Sequence, residues 1–336
     1  MTALPDDPVL RALRPWLGRS GRVVLLAVSG GPDSSALMHA AAALGASIRV
    51  ATVDHGLRPD SGLEAEDVGR AARALGLAHA LLAWTGPKPG TALQDAARAA
   101  RYRLLAAHAA AIGAGLVLTG HTQDDQAETV LMRLAAGSGP AGLAGMRTER
   151  PLAPGITLGR PFLALSKATL MAWCEIRGIP HVRDPANADP RFARARLRAT
   201  WAALEREGLS PARLARLAER AARDDDALRA AAEQAFAALL LPAQKTDAAA
   251  LCLDGAVLAA LPEATALRCL DAALTRVGAG PRRLERLEAL VLEALLPALR
   301  RREPIRRTLA GILIAADATG TVTLAPAPPR RSRAAD

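Results

Sequence analysis

The sequence predicts an α/β protein: a parallel sheet covered by helices, followed by a smaller, mainly helical domain. Three observations carry this. Val23 to Val28 is an uninterrupted apolar run, the pattern of a strand buried on both faces. It gives way at once to Ser29, Gly30 and Gly31 and then to a helical segment, and strand-like runs recur at Ser47–Val53, Ala78–Trp84 and Gly115–Thr119 with helix-length segments between them. Beyond Glu207 and Gly208 that alternation stops, which sets the expected boundary: a catalytic domain over 1–207, a second domain over 208–326, and a tail over 327–336 too poor in apolar residues to pack and therefore expected to be disordered.

Met1 to Arg22 reads as a lead-in helix broken at Pro15. After the first strand, Gly30 and Gly31 allow a sharp turn and close approach of a ligand, and Asp33 or Ser34 is placed to cap the helix that carries Leu37 and Met38. A strand, a glycine turn and a helix N-terminus together make an anion site, since free N–H groups and the helix dipole both favour phosphate. The run is neither GxxxxGK[ST] nor GxGxxG.

The second strand ends in Asp54, His55, Gly56, Leu57 and Arg58, and residues just past a parallel strand line the ligand crevice, so Asp54 and Arg58 are expected at a nucleotide. Ser61 to Gly76 reads as a helix with Leu63, Val68, Ala71 and Leu75 as its apolar side. The long helix that begins near Thr91 and ends near Gly113 carries Arg98, Arg101 and Tyr102 on one side. The fourth strand delivers Gly120, His121, Thr122, Gln123, Asp124, Asp125 and, a turn later, Glu128. Thr122 can cap the helix, while three acids within five residues exceed what a helix dipole needs and are suited to Mg²⁺ or to a cationic amine. Gly137 ends that helix, and GSGPAGLAGM follows as a loop able to close over a substrate.

In the second domain Ser210 to Leu241 reads as one long helix, Leu251 and Leu253 as part of a short strand, and Arg306–Ile314 with Thr321–Leu324 as a hairpin. The formal net charge is +10, carried almost wholly by arginine, with lysine only at 88, 167 and 245. Such a surplus points to a polyanion. Arginines at 282, 283, 286, 300, 301, 302, 306 and 307 make the second domain a candidate grip on it. No apolar run is long enough to span a membrane and the N-terminal residues lack the pattern of a signal peptide, so a cytoplasmic protein is expected. Cys174, Cys252 and Cys269 form no CxxC and are read as packing residues rather than as zinc or disulfide partners.

SGGPDS resembles the SGGxDS signature of the PP-loop ATP pyrophosphatases. With VDHGLRPDS, AARAARYRLL, GHTQDDQAETVLMRLAAGSGPAGLAGM, RPFLALSKATLMAWC and DPANADPRFARARLR following in that order, residues 20–200 resemble the tRNA(Ile)-lysidine synthetases. The resemblance implies an adenine nucleotide alpha hydrolase-like fold. It also implies a ligase that uses ATP to adenylate C2 of the wobble cytidine of an isoleucine tRNA with a CAU anticodon, then joins free L-lysine there. On this chain it places ATP on Ser29, Gly30, Gly31, Pro32, Asp33, Ser34, His55 and Arg58. Asp33 is the catalytic or Mg²⁺-linked acid, and lysine falls on Arg101, Asp125 and Glu128. Asp125 and Glu128 count with Asp33 as catalytic, and one of Asp124 and Asp125 is expected to accept the amine proton. Arg191, Arg194, Arg196 and Arg198 are expected at tRNA phosphates.

The chain departs from the family at Ala136 and Ala141, where basic residues are usual, and at Ala195, where asparagine is usual. The other readings are a PP-loop tRNA thiolase, disfavoured because the expected catalytic domain has one cysteine, Cys174, which is not among the expected site residues, and a basic nucleotide- or RNA-binding protein without chemistry. The sequence leaves the oligomeric state open.

Overall fold

The computed structural model describes residues 7–18, 23–57, 61–181, 193–242 and 250–328. Of the expected functional residues, Arg58 and Arg191 lie outside these, as do positions 329–336 of the expected tail. By packing, the chain forms two compact units, Met1–Gly137 with Gly142–Arg220, and Ser138–Ala141 with Ala221–Asp336. The turn expected as a boundary at Glu207–Gly208 separates two helices of the first unit, Ala193–Arg206 (α8) and the start of Pro211–Leu239 (α9).

The first unit is built on a six-stranded sheet of order β3-β2-β1-β4-β6-β5. Its strands are Val24–Ala27 (β1), Ile48–Asp54 (β2), Ala78–Ala83 (β3), Leu116–Thr119 (β4), Glu149–Ala153 (β5) and Ile156–Gly159 (β6). Strand β1 pairs in parallel with both β2 and β4, and β5 alone runs antiparallel, at the edge beside β6. Every residue of β1 and of β4 is buried, as their unbroken apolar sequences require of central strands covered on both faces. The chain leaves β1 toward β2 and β3 and later returns to the other side of β1 as β4. The C-terminal ends of β1 and β4 thus flank a topological switch point, where sheets of this kind open a crevice for ligands.

Helices Pro8–Leu17 (α1), Pro32–Ala43 (α2), Ser61–Ala74 (α3) and Lys167–Ile176 (α7) contribute to a core with Leu13, Leu37, Phe162 and Trp173 at its centre. Helix Leu93–Ala111 (α4) contributes Leu105 and Ala109 to a second cluster with Leu25, Val117 and Leu158. Asp7 caps α1 through bonds from the Val9 and Leu10 amides and accepts from Trp173 Nε1 at 2.8 Å and Arg177 Nη2 at 2.7 Å, which ties α1 to α7. Helix α1 runs through Pro15 instead of breaking there. Proline removes one donor, and burial of Val9, Leu10, Leu13 and Trp16 on a common face outweighs that loss. On α3 the buried residues are Ala65, Val68, Gly69 and Ala72, and Leu63 is exposed. The β5–β6 hairpin has no counterpart in the sequence reading, because its residues show no clear alternation.

The second unit contains a four-stranded antiparallel sheet of order β7-β10-β9-β8, formed by Leu251–Asp254 (β7), Ile305–Leu309 (β8), Ile312–Ala316 (β9) and Thr321–Pro326 (β10). It shares a core with Leu239, Leu270, Val291 and Leu296. The expected single hairpin is two hairpins in succession, because Ala310 and Gly311, both at positive φ, turn the chain between β8 and β9.

Candidate functional site

The loop after β1 forms an open helix N-terminus. Gly30 has φ 86°, a left-handed turn that glycine adopts without strain. Gly31 is the cap of α2 and offers no side chain, so neither Asp33 nor Ser34 caps this helix as expected. Ser34 instead shapes the loop: its hydroxyl accepts from the Ser29 amide at 3.1 Å and donates to the Gly31 carbonyl at 3.0 Å. With no side chain on the first-turn amides, the positive end of α2 faces the crevice.

Asp33 projects from that first turn. Its Oδ2 lies 3.3 Å from Lys167 Nζ, while its Oδ1 is buried with no hydrogen-bond partner. Burial pushes the carboxyl up to about 6; Lys167 opposes the rise, and Asp125 and Asp124 add to it. A half-buried acid with one unpartnered oxygen beside the glycine turn has the donor chemistry that would fit a Mg²⁺ ion, which prefers oxygen ligands. Sequence reasoning missed Lys167. Its backbone amide donates to Asp124 Oδ2 at 2.7 Å, which holds the start of α7 against the start of Gln123–Ala135 (α5). The available signal was a rare lysine immediately after Ser166, the cap of α7.

The loop after β4 is the opposite kind of helix start. Thr122 caps α5 and forms a reciprocal box with Asp125: the Thr122 amide and hydroxyl donate to Asp125 Oδ2 at 2.9 and 3.0 Å, and the Asp125 amide donates to Thr122 Oγ1 at 3.3 Å. Although burial opposes it, the bonds from Thr122 and the nearby Arg194 cation hold the Asp125 carboxyl below its ordinary value. One turn on, Glu128 is buried and receives a two-pronged contact from Arg198, Nε to Oε1 at 2.5 Å and Nη2 to Oε2 at 3.2 Å. Arg194 Nη1 stands 3.8 Å from Glu128 and 3.9 Å from Asp125. Residues expected at lysine and residues expected at tRNA are therefore side by side, whereas Arg196 is exposed.

The two loops meet. A Cβ on Gly120 would lie 2.7 Å from the Asp33 carbonyl oxygen, so only glycine lets the chain leaving β4 pass this close to the phosphate loop. Arg101, on α4, forms no hydrogen bond or ion pair among the described residues. Burial depresses its pKa, with Tyr102 and Asp125 opposing that and Arg98 adding to it. The same guanidinium helps to keep His55 and His121 neutral: burial is the first cause in both, and His121 is brought down to about 3. His121 Nδ1 pairs with Thr119 Oγ1 at 2.7 Å. His55 stands edge-on to Trp84, and its Nδ1 is buried without a partner. Asp54 turns back on its own loop, accepting from the Gly56 amide and Ser61 Oγ.

The segment after α5, expected as a loop, contains a short helix, Pro140–Leu143. Its far end is locked to α5: Gln126 exchanges two bonds with the Met146 backbone, at 3.0 and 2.7 Å, and Arg133 Nη1 donates to the Gly142 and Gly145 carbonyls. In the second unit Arg282 is engaged with Asp271 Oδ1 at 2.6 Å, and Arg301 stands 3.9 Å from Glu303.

A parallel sheet whose switch point carries an uncapped glycine turn and a facing acid defines a PP-loop nucleotide-binding protein, and the PP-loop domain family matches residues 8–203. The tRNA(Ile)-lysidine synthase of Methylobacterium sp. (strain 4-46) is 56% identical over 98% of this chain and 96% of its own length. That of Methylobacterium nodulans is 55% identical over 98% of both. The chain belongs to the tRNA(Ile)-lysidine synthase family. The U34-tRNA thiolase NcsA from Methanococcus maripaludis shares the fold, with TM-score 0.54 and 16% identity, covering 64% of this chain and 78% of the thiolase.

Proposed function

We propose that the protein is a tRNA-modifying ligase that adenylates C2 of the wobble cytidine of an isoleucine tRNA and joins free L-lysine to it, releasing AMP and pyrophosphate. The observation that carries this reading is the meeting at one crevice of an anion-seeking helix end, the uncapped start of α2, and a carboxylate-rich one, Asp125 and Glu128 at the start of α5. An enzyme that must hold a triphosphate beside an amino acid with an extra ammonium group needs both.

The amides of Gly30, Gly31, Asp33 and Ser34 cradle the phosphates, and the cytidine C2 oxygen attacks the α-phosphorus as pyrophosphate leaves. Asp33 is the residue that would hold Mg²⁺, which supplies neutralisation of charge building on the phosphate oxygens. Lys167, from the start of α7, adds a cation beside Asp33, next to a glycine loop that itself lacks a Walker lysine. Lysine then enters with its carboxylate toward Arg101 and its ammonium groups toward Asp125 and Glu128. The ε-ammonium gives up its proton to solvent, the free amine attacks C2, and the C2–O bond breaks as AMP departs. Asp124 is committed to the Lys167 amide and Asp125 is held ionised, so the acid pair is built to hold a cation and is a poor proton acceptor. The CAU anticodon selects the tRNA, with Arg194, Arg196 and Arg198 near the RNA, and the reaction is cytoplasmic. Among the described residues no helix is long and apolar enough to cross a membrane.

The thiolase reading meets a specific obstacle. Cys174, the cysteine nearest the loop, donates to the Pro32 carbonyl, and burial with Asp33 pushes its thiol up to about 11, far from a reactive thiolate. Incubation with labelled ATP, lysine and bulk tRNA tests the assignment. AMP and a lysine-bearing cytidine are expected; ADP as the main product, or a sulfur-bearing base, would overturn it.

A further inference from the structure

Next to Arg101, α4 carries Tyr102, and around this ring the fold assembles three further arginines. Arg98 Cζ lies 5.2 Å and Arg150 Cζ 4.9 Å from the ring centroid. Arg160, at the end of β6, is 2% exposed; its Nη1 donates to the Arg147 carbonyl at 2.6 Å while its Nε is buried without a partner. The Tyr102 hydroxyl is likewise buried, and it faces the Arg160 guanidinium. Arg98, Arg150 and Arg160 form no ion pair with a carboxylate among the described residues. Burial lowers the Arg160 pKa, Tyr102 counteracts this, and Arg150 and Arg98 lower it further. Although burial raises the Tyr102 phenol, Arg98, Arg101 and Arg160 together bring it below its ordinary value.

Cations gathered in a partly dry place without counter-charges are costly, and an anionic ligand removes the cost. We propose that Arg98, Arg150 and Arg160, arrayed on Tyr102, form a second anion site that takes a phosphodiester of the RNA substrate, separate from the turn that holds the ATP phosphates. The proposal rests on the reading of the protein as a tRNA-modifying enzyme. Exposure decides between an RNA phosphate and the carboxylate of the amino acid. Arg98 is exposed, Arg150 half-buried and Arg160 buried, a graded path from solvent inward that suits a polyanion, whereas one guanidinium fork satisfies a carboxylate. Arg101, the neighbour that acts on His55, His121 and Asp125, already stands on the crevice side. A nucleotide whose base enters that crevice must keep its phosphates outside it, and phosphate contacts are what fix register on RNA.

The test uses the full chain and a fluorescent isoleucine tRNA, with binding measured across a salt series for the wild type and for Arg98→Gln/Arg150→Gln. A second double variant, Arg14→Gln/Arg49→Gln, removes the same charge from exposed positions elsewhere in the first unit. The site variant should bind tRNA about tenfold to a hundredfold more weakly, with a log–log salt slope shallower by about 1.4 for two single-strand contacts. The control should change neither by a comparable amount, and KM for ATP and for lysine should stay at wild-type values. Tyr102→Phe should weaken binding without changing the slope, because it removes a donor and no charge.

A raised lysine KM with unchanged tRNA binding would assign the cluster to the amino acid and overturn the proposal. Equal effects of the site and control variants, or no effect on any substrate, would also overturn it, leaving the arginines as packing around Tyr102. Failure of the underlying assignment would show separately, as a wild-type protein that neither binds nor modifies tRNA.

Discussion

Two helix starts in this protein follow the same pattern in the sequence and have opposite chemistry. The exits of β1 and β4 both leave a fully buried strand, both pass a glycine and both begin a helix at the same crevice. At α2 the cap is Gly31, which leaves the first-turn amides to a ligand. At α5 the Thr122–Asp125 box occupies the corresponding groups, and the charge presented is that of Asp125 and Glu128. Whether a helix N-terminus attracts anions or cations here depends on which residue caps it, with the dipole the same in both.

The largest effect should come from the acid on the open end. Asp33→Asn should lower AMP formation by about a hundredfold to a thousandfold, the scale for losing one preorganised transition-state contact. It should also stabilise the apoprotein. In the native state the carboxyl titrates at about 6, above the ordinary value of 3.8, so the folded form binds the proton more tightly. The wild type therefore loses stability as pH rises from about 4 to 6, by up to about 3 kcal/mol above that window, with the opposing pull of Lys167 already included. Urea unfolding at pH 8 and pH 4 should show a gain for the variant at pH 8 that vanishes at pH 4. A gain that persists at pH 4 would mean that burial of the charge is not the cause.

At the closed end the ion pair between Glu128 and Arg198 should matter most for stability. Glu128→Gln should cost about 2–3 kcal/mol of stability, below the ~3–5 expected for a fully buried pair because Arg198 is 33% exposed. A double-mutant cycle with Arg198→Met isolates the coupling; zero coupling would mean that the two-pronged contact adds nothing. Lysine use should fall with it. Arg101→Ala should raise the lysine KM about tenfold to a hundredfold while the adenylated tRNA still forms. Loss of adenylation in that variant would move Arg101 to the nucleotide side of the comparison.

Much of this was legible in the sequence because central strands and glycine turns are local signals. Val24–Ala27 and Leu116–Thr119 are apolar throughout, and Thr122 with Asp125 is a capping pattern readable from spacing alone. What escaped was non-local. Lys167 reaches Asp33 only because Asp124 holds the start of α7, and Arg198 reaches Glu128 across the sequence separation between α5 and α8. The β5–β6 hairpin escaped for a related reason: an edge strand such as ERPLA needs no apolar alternation when its partner supplies the register. The cap of α2 differs from expectation because Asp33 and Ser34 are good capping residues, and only the fold shows the first facing the crevice and the second folded back on its own loop.

The smallest effect tests the comparison most directly, through the hydroxyls that distinguish the two starts. Thr122→Ala removes the side chain that bonds the Asp125 amide and carboxylate, and loss of such a cap costs about 1 kcal/mol. Because Asp125 is held below its ordinary value, the stability it contributes is present above about pH 3.8 and fades as pH falls through its native pKa. The penalty of Thr122→Ala should therefore be visible in urea unfolding at pH 7 and shrink in acid, while the KM for ATP stays unchanged. Ser34→Ala should do the reverse. Its hydroxyl fixes the loop by linking the Ser29 amide to the Gly31 carbonyl, and it caps nothing, so its removal should raise the KM for ATP with little change in pH-dependent stability. If both alanine variants instead lowered stability equally and left ATP binding alone, the α2 start would be an ordinary closed helix end, and the contrast between the two exits would fail.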